Sequence, residues 1–204
     1  MTDSMTADLA QEVAAAVNQL RHITVQLRTQ GAATGAGILW NAAESDGREG
    51  GLVITNAHVV QGDRATIELS DGTAVRGRVV ARDSKRDLAA LEFEPGRAVV
   101  GAVLRDSPPL RVGELVIALG HPGGLAGAAT LGIIHRADGE REGRTPRWIR
   151  ADVRLAPGFS GGPLADATGR LVGVNTMMQG GLALAIPALA VEAWVRRAHT
   201  MALS

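Results

Sequence analysis

From Ile23 onward, apolar positions fall in short runs or alternate with polar ones; only the two ends of the chain break that rule. At the N-terminus Leu9, Val13, Val17 and Leu20 recur at helical spacing behind the capping candidates Ser4 and Thr6, which predicts an amphipathic helix over 1–22. Six strand-like segments follow, at Ile23–Arg28, Gly35–Trp40, Leu52–Val60, Ala65–Ser70, Ala74–Arg82 and Leu88–Glu94, with Asp71-Gly72 as a hairpin turn between the fourth and fifth. The stretch Arg105-Asp106-Ser107-Pro108-Pro109 interrupts the pattern, since consecutive prolines suit a linker and not a strand interior. A second six succeed it, at Glu114–Gly120, Ala128–His135, Arg147–Arg154, Gly162–Asp166, Arg170–Met177 and Gly181–Ile186. Leu189, Val191, Trp194 and Val195 then fit a short helix ending around His199. The expected fold is all-β: two packed six-stranded β-barrels over 23–100 and 113–187, a linker over 101–112, and helices over 1–22 and 188–204.

Composition narrows the functional classes. The 204 residues carry 21 basic and 21 acidic side chains, so formal neutrality offers no field for a nucleic acid or an anionic membrane. Three Trp and two Phe are the only aromatics, which leaves the core to Val, Leu, Ile and Ala and argues against base-stacking platforms. With no cysteine there is neither a disulfide framework nor a thiolate metal site. No run reaches the length of a membrane span, and the N-terminus lacks the basic and apolar regions of an export signal. As it stands the sequence reads as cytoplasmic; a leader upstream would make it periplasmic or extracellular.

The candidate chemistry lies in three segments. Pro157-Gly158-Phe159-Ser160-Gly161-Gly162-Pro163-Leu164 frames a serine in glycines. A serine hydroxyl becomes a useful nucleophile only with a base, a carboxylate that orients the base, and N–H donors for the oxyanion. Thr55-Asn56-Ala57-His58-Val59-Val60 supplies the base and Arg86-Asp87-Leu88-Ala89-Ala90-Leu91 the carboxylate. The order His58, Asp87, Ser160 sets the chain apart from α/β-hydrolases, whose triad runs serine, acid, histidine. A nucleophile elbow also needs a helix after the serine. Here Pro163 and the turn Asp166-Ala167-Thr168-Gly169 lead into the strand-like Arg170–Val174.

Together these segments resemble the chymotrypsin-like serine proteases and, within them, the HtrA/Deg family. Gly35-Ala36-Gly37-Ile38-Leu39, Val112–Pro122 and Ala183-Leu184-Ala185-Ile186-Pro187 match further landmarks in the family's order, so the resemblance covers 23–198. It implies the two-barrel architecture with the site in the cleft between, and His58, Asp87 and Ser160 as a catalytic triad. It also implies the backbone N–H groups of Gly158 and Ser160 as the oxyanion hole, and no cofactor or metal. Leu155, Met178 and Leu182 correspond to the walls of the primary specificity pocket, and their apolar character favours aliphatic side chains. The implied activity is that of a serine endopeptidase acting through an acyl-enzyme on unfolded or flexible proteins, the substrates of protein quality control. A PDZ domain, which many such relatives carry after this point, is not expected in the residues that follow Pro187.

Phe159 departs from the pattern. Trypsins place an aspartate before the serine, and HtrA-like enzymes usually an asparagine. An apolar residue there cannot pair with a newly cut N-terminal amine, so activation by proteolytic maturation is not expected; ordering of Leu155–Ser160 would take its place. The same departure motivates a second reading, a catalytically impaired peptide-binding module on the protease fold. A third, an esterase-like hydrolase, shares the nucleophile but not the fold. His22, His121, His135 and His199 lack metal-ligand spacing and read as structural or surface residues, and Glu140–Arg144 reads as a solvated loop. The apolar stripe of the first helix demands burial, on the body of the same molecule or in a homo-oligomer.

Overall fold

The computed structural model describes residues 2–29, 31–40, 51–94, 96, 99–105, 109–138 and 147–202. The expected charged loop at Glu140–Arg144, the linker residues Asp106–Pro108 and the side chain of His199 lie outside the described residues.

Helix α1 (Thr2–Ile23) leads directly into the first barrel, made of β1 (Thr24–Thr29), β2 (Ala32–Trp40), β3 (Gly51–Thr55), β4 (Arg64–Glu68), β5 (Ala74–Asp83) and β6 (Leu88–Phe93). The second holds β7 (Leu115–Gly120), β8 (Ala128–Asp138), β9 (Trp148–Asp152), β10 (Pro163–Asp166), β11 (Leu171–Gln179) and β12 (Leu182–Pro187), and α2 (Ala188–Ala202) follows. Both barrels are closed, with strand orders β1-β2-β3-β6-β5-β4 and β10-β11-β12-β9-β8-β7. Closure gives every strand two neighbours, but β10 pairs with β11 only as far as Val174, so Met177–Gln179 is paired on one side alone. Alternation decides the inward faces: on β4, Ala65 and Ile67 are buried between exposed or half-buried neighbours. The Asp71-Gly72 turn joins β4 to β5 as the sequence suggests, with the Asp71 carboxylate accepting the Thr73 N–H at 2.9 Å.

The third strand ends well before its apolar run does. β3 stops at Thr55, and the apolar residues Val59 and Val60 are buried from a turn in which the Val59 N–H donates to the Asn56 carbonyl. That early stop carries His58 out of the barrel wall.

The segment between the barrels is fastened to both. The Ala102 N–H donates to the Leu39 carbonyl of β2, while Arg105 N–H donates to the Leu171 carbonyl of β11 and Leu171 returns a bond to Val103. The Arg105 guanidinium is almost fully buried against the carboxylates of Glu114 and Asp166. Burial alone would raise the Glu114 carboxyl; hydrogen bonds from Arg105 and Arg111 outweigh it and hold it below the ordinary range.

The C-terminal half of α1's apolar face is buried on the same molecule. Ala16, Leu20 and Ile23 enter a core shared with the first barrel, with Val191 and Trp194 of α2, and with Ile117, Leu119 and Leu171 of the second barrel. Burying Leu20 alone contributes on the order of 2 kcal/mol. The Arg21 Nε donates to the Gly127 carbonyl at 3.0 Å, tying the helix to the second barrel, whereas Leu9 remains exposed. Among the described residues no helix is long and apolar enough to cross a membrane.

Candidate active site

His58 sits on the turn after β3, and an arginine holds that turn. Arg82, near the end of β5, donates from Nη1 to the carbonyls of Ala57 and Val60, both at 2.9 Å, and from Nη2 to that of Gly62 at 2.7 Å. A planar guanidinium can satisfy three carbonyls of one loop at once, which an ammonium on a flexible stem does less rigidly.

Asp87 is placed by a second turn, between β5 and β6. The Asp83 carboxylate accepts the backbone N–H groups of Lys85 and Arg86, each at 3.0 Å, and the Arg86 guanidinium at 2.7 Å. Burial alone would raise the Asp83 carboxyl; the bonds to Arg86 and Lys85 hold it below its usual range. The chain then turns through Asp87 with φ 57°, the one left-handed residue other than glycine among those described. Aspartate is among the few side chains that tolerate this conformation.

The two turns bring their side chains together. The His58 Nδ1 lies 2.7 Å from Asp87 Oδ2, and the His58 backbone N–H donates to Oδ1 at 3.0 Å. Both carboxylate oxygens are thus engaged by one residue, which fixes the ring's orientation. An ionised carboxylate only accepts, so Nδ1 carries the proton in the neutral ring and Nε2 keeps its lone pair. The hydrogen bond from Asp87 raises the imidazole above its usual 6.5; burial opposes this and the carboxylate's charge reinforces it. The expected NMR titration of His58 in a Ser160→Ala protein therefore has its midpoint above 6.5. In Asp87→Asn both raising influences are gone and burial remains, so the midpoint falls below the ordinary value. Equal midpoints in the two proteins would contradict this electrostatic picture.

Ser160 follows a tight turn at the mouth of the second barrel. The Phe159 N–H donates to the Ala156 carbonyl at 3.0 Å, closing a turn with Pro157 and Gly158 at its centre. Proline suits the first central position, and the second, with φ 105° at Gly158, is the type II geometry that needs glycine. The N–H groups of Gly158 and Ser160 have no acceptor among the described residues. After the serine, Gly161 (φ 82°) runs against the first barrel, where a Cβ would lie 2.2 Å from both the Ala36 carbonyl and the Thr55 hydroxyl.

Hydrogen bonds across the cleft join the two halves. Ala36 N–H donates to the Ser160 carbonyl at 2.9 Å. The fully buried Asn56 donates from Nδ2 to the Asp87 carbonyl at 3.0 Å and to the Thr176 hydroxyl of β11 at 3.2 Å. The Ser160 hydroxyl in turn donates to the Thr176 carbonyl at 3.0 Å. Among the described residues no hydrogen bond joins Ser160 to His58, so the hydroxyl is parked on β11. Catalytic hydrogen bonds are often loose without substrate, and rotation about a single Cα–Cβ bond would release it.

The structure brings His58 and Asp87 together and links both to Ser160 through Asn56 and Thr176. Arg82, Asn56 and Thr176 escaped the sequence reading, although Asn56 lay inside the motif that marked His58. His121 is buried, and that burial lowers its imidazole against the opposing charge of Glu68; its backbone N–H holds the Gly158 carbonyl at 2.9 Å.

The expected pocket residues do not share one wall. Leu155 packs on the interior of the second barrel. Met178 pairs with Ala183 and Gln179 with Leu182, so Leu182 points to the opposite face of the β11–β12 ladder from Met178. Ala183 is the β12 residue on the face of Met178.

Two closed antiparallel barrels, with a serine turn on the second facing a histidine–aspartate pair on the first, define the chymotrypsin type of fold. A family model described as "Trypsin-like peptidase domain" matches residues 35–174. The chain belongs to that family, and its relatives place it in the HtrA-like branch. It is 34% identical over 163 residues to a "Probable periplasmic serine protease do/HhoA-like" of Haemophilus influenzae, an alignment covering 75% of this chain and 34% of the relative. It is 39% identical over 147 residues to a "Putative serine protease HhoA" of Synechocystis, covering 67% and 37%. With "Serine protease HTRA1" of Xenopus laevis it shares 32% identity over 205 residues, covering 95% and 43%. The chain thus spans less than half the length of each of these curated relatives.

Proposed function

We propose that this chain is a serine endopeptidase in which Ser160 is the nucleophile, His58 the general base and Asp87 the group that orients it. The observation that carries the reading is the double engagement of Asp87 by His58, which holds the proton on Nδ1 and leaves the Nε2 lone pair basic. The Ser160 Oγ bonds to the scissile carbonyl carbon as its proton passes to Nε2. The oxyanion is received by the free N–H groups of Gly158 and Ser160. The C–N bond breaks as Nε2 gives its proton to the leaving amine. Water then attacks the acyl-enzyme by the same route, and Ser160 regains its proton.

An extended peptide is held beside Met177–Gln179 as an added strand. Its side chain before the scissile bond meets Leu155 and Met178, which favours aliphatic residues and offers no carboxylate to lysine or arginine. Digestion of a chemically unfolded protein, with the new C-termini sequenced by mass spectrometry, is expected to yield mostly Val, Ala, Leu and Ile there. The same protein kept folded should be spared. A majority of Lys and Arg termini would refute the pocket assignment.

The peptide-binding module remains the second reading, favoured by one observation, the Ser160 hydroxyl resting on Thr176 and not on His58. Peptide binding without any turnover, in both the wild type and Ser160→Ala, would decide for it.

A further inference from the structure

Phe159 stands between the two N–H groups assigned to the oxyanion, and its ring points away from the cleft. It is 5% exposed and lies in the interior of the second barrel with Val116, Ala118, Leu164 and Val172. Gly120, at the end of β7, makes the space: a Cβ there would come within 2.6 Å of Phe159 Cα, 2.8 Å of its Cγ and 2.7 Å of the Gly158 carbonyl oxygen. The next residue, His121, donates its backbone N–H to that same carbonyl. The peptide linking Gly158 to Phe159 is therefore bonded at both ends, its oxygen to His121 and its N–H to Ala156. The ring fixes the Cα beyond it.

We infer that Phe159 is a positioning residue for the oxyanion site, an apolar anchor that the second barrel grips so that Ser160 N–H keeps its place relative to Gly158 N–H. The inference rests on the serine-peptidase reading above. A ring buried among aliphatic side chains is held by close packing in one orientation and needs neither a charge partner nor a new chain terminus. Shortening the side chain frees the turn to shift, which misaims a donor in the transition state while leaving the peptide-binding strand of β11 as it was. Rate then falls without a matching change in substrate binding.

The test is a graded series, Phe159→Leu, Phe159→Val and Phe159→Ala, each checked for a wild-type circular dichroism spectrum and assayed on one aliphatic peptide substrate. The expected result is a kcat that falls with each step of volume lost, to roughly 10²-fold below wild type at the smallest residue that folds, as for loss of one oxyanion donor. KM stays within about threefold across the series, the behaviour of an interaction made only in the transition state. Phe159→Leu, which preserves most of the packing, retains most of the rate. The affinity for a peptide boronate, whose tetrahedral adduct uses the oxyanion donors, falls in parallel with kcat. If Phe159→Ala does not fold, Leu and Val carry the comparison. Folded variants with wild-type kcat, or a fall in which KM changes as much as kcat, overturn the inference. A wild type that turns over no peptide overturns the serine-peptidase reading itself, so the two failures are distinct.

Discussion

Replacing Ser160 with alanine is expected to lower kcat by roughly six orders of magnitude, and Ser160→Ala combined with His58→Ala to lower it scarcely further. The near-equality follows from what each residue does. Without the hydroxyl, His58 has no proton to take, and without the imidazole, Ser160 stays on the Thr176 carbonyl as a weak neutral nucleophile. Two groups that act on one proton cannot contribute independently. Steady-state rates on a single peptide for the two single variants and the double variant make the measurement, against a buffer blank. Losses that multiply would mean that the two residues serve different steps.

The second large effect is expected from Asp87→Asn, a drop of about 10⁴-fold in kcat with the fold retained. Asp87 receives both the ring and the backbone of His58, and its own carbonyl is held by Asn56. An asparagine fits the same space and can keep the left-handed turn, so the protein should fold. Its amide nitrogen, however, can donate to Nδ1 and so select the tautomer with the proton on Nε2, where it blocks the proton of Ser160. It also removes the charge that stabilises the imidazolium. Near-wild-type turnover in a folded Asp87→Asn protein would take Asp87 out of the mechanism.

The barrels were legible because half-exposed strands such as β4 alternate, strands covered on both sides such as β7 and β12 read as short apolar runs, and Gly and Asp-Gly turns cut the chain between them. Where prediction and structure part, a tertiary interaction has overridden the local pattern. Val59 and Val60 continue the apolar run of β3, yet they are buried from a turn whose carbonyls Arg82 gathers. Nothing adjacent in sequence announces that arginine, because its acceptors are backbone oxygens twenty or more residues away. Asn56 and Thr176 were hidden for the same reason, since their partnership crosses the cleft. Leu182 faces away from Met178 because the two-residue Gly180-Gly181 turn pairs Gln179 with Leu182, a register that motif matching does not fix. Phe159 broke the family's pattern in the sequence; only the space above Gly120 explained where its ring goes.

The central claim is that Ser160 becomes a nucleophile through His58. Its most direct measurement is the reaction of the intact protein with a fluorophosphonate, followed by mass spectrometry of the labelled peptide. The expected result is one adduct per chain, on Ser160, forming rapidly in the wild type and lost in both Ser160→Ala and His58→Ala. An adduct elsewhere, or unchanged labelling of Ser160 in His58→Ala, would contradict the account.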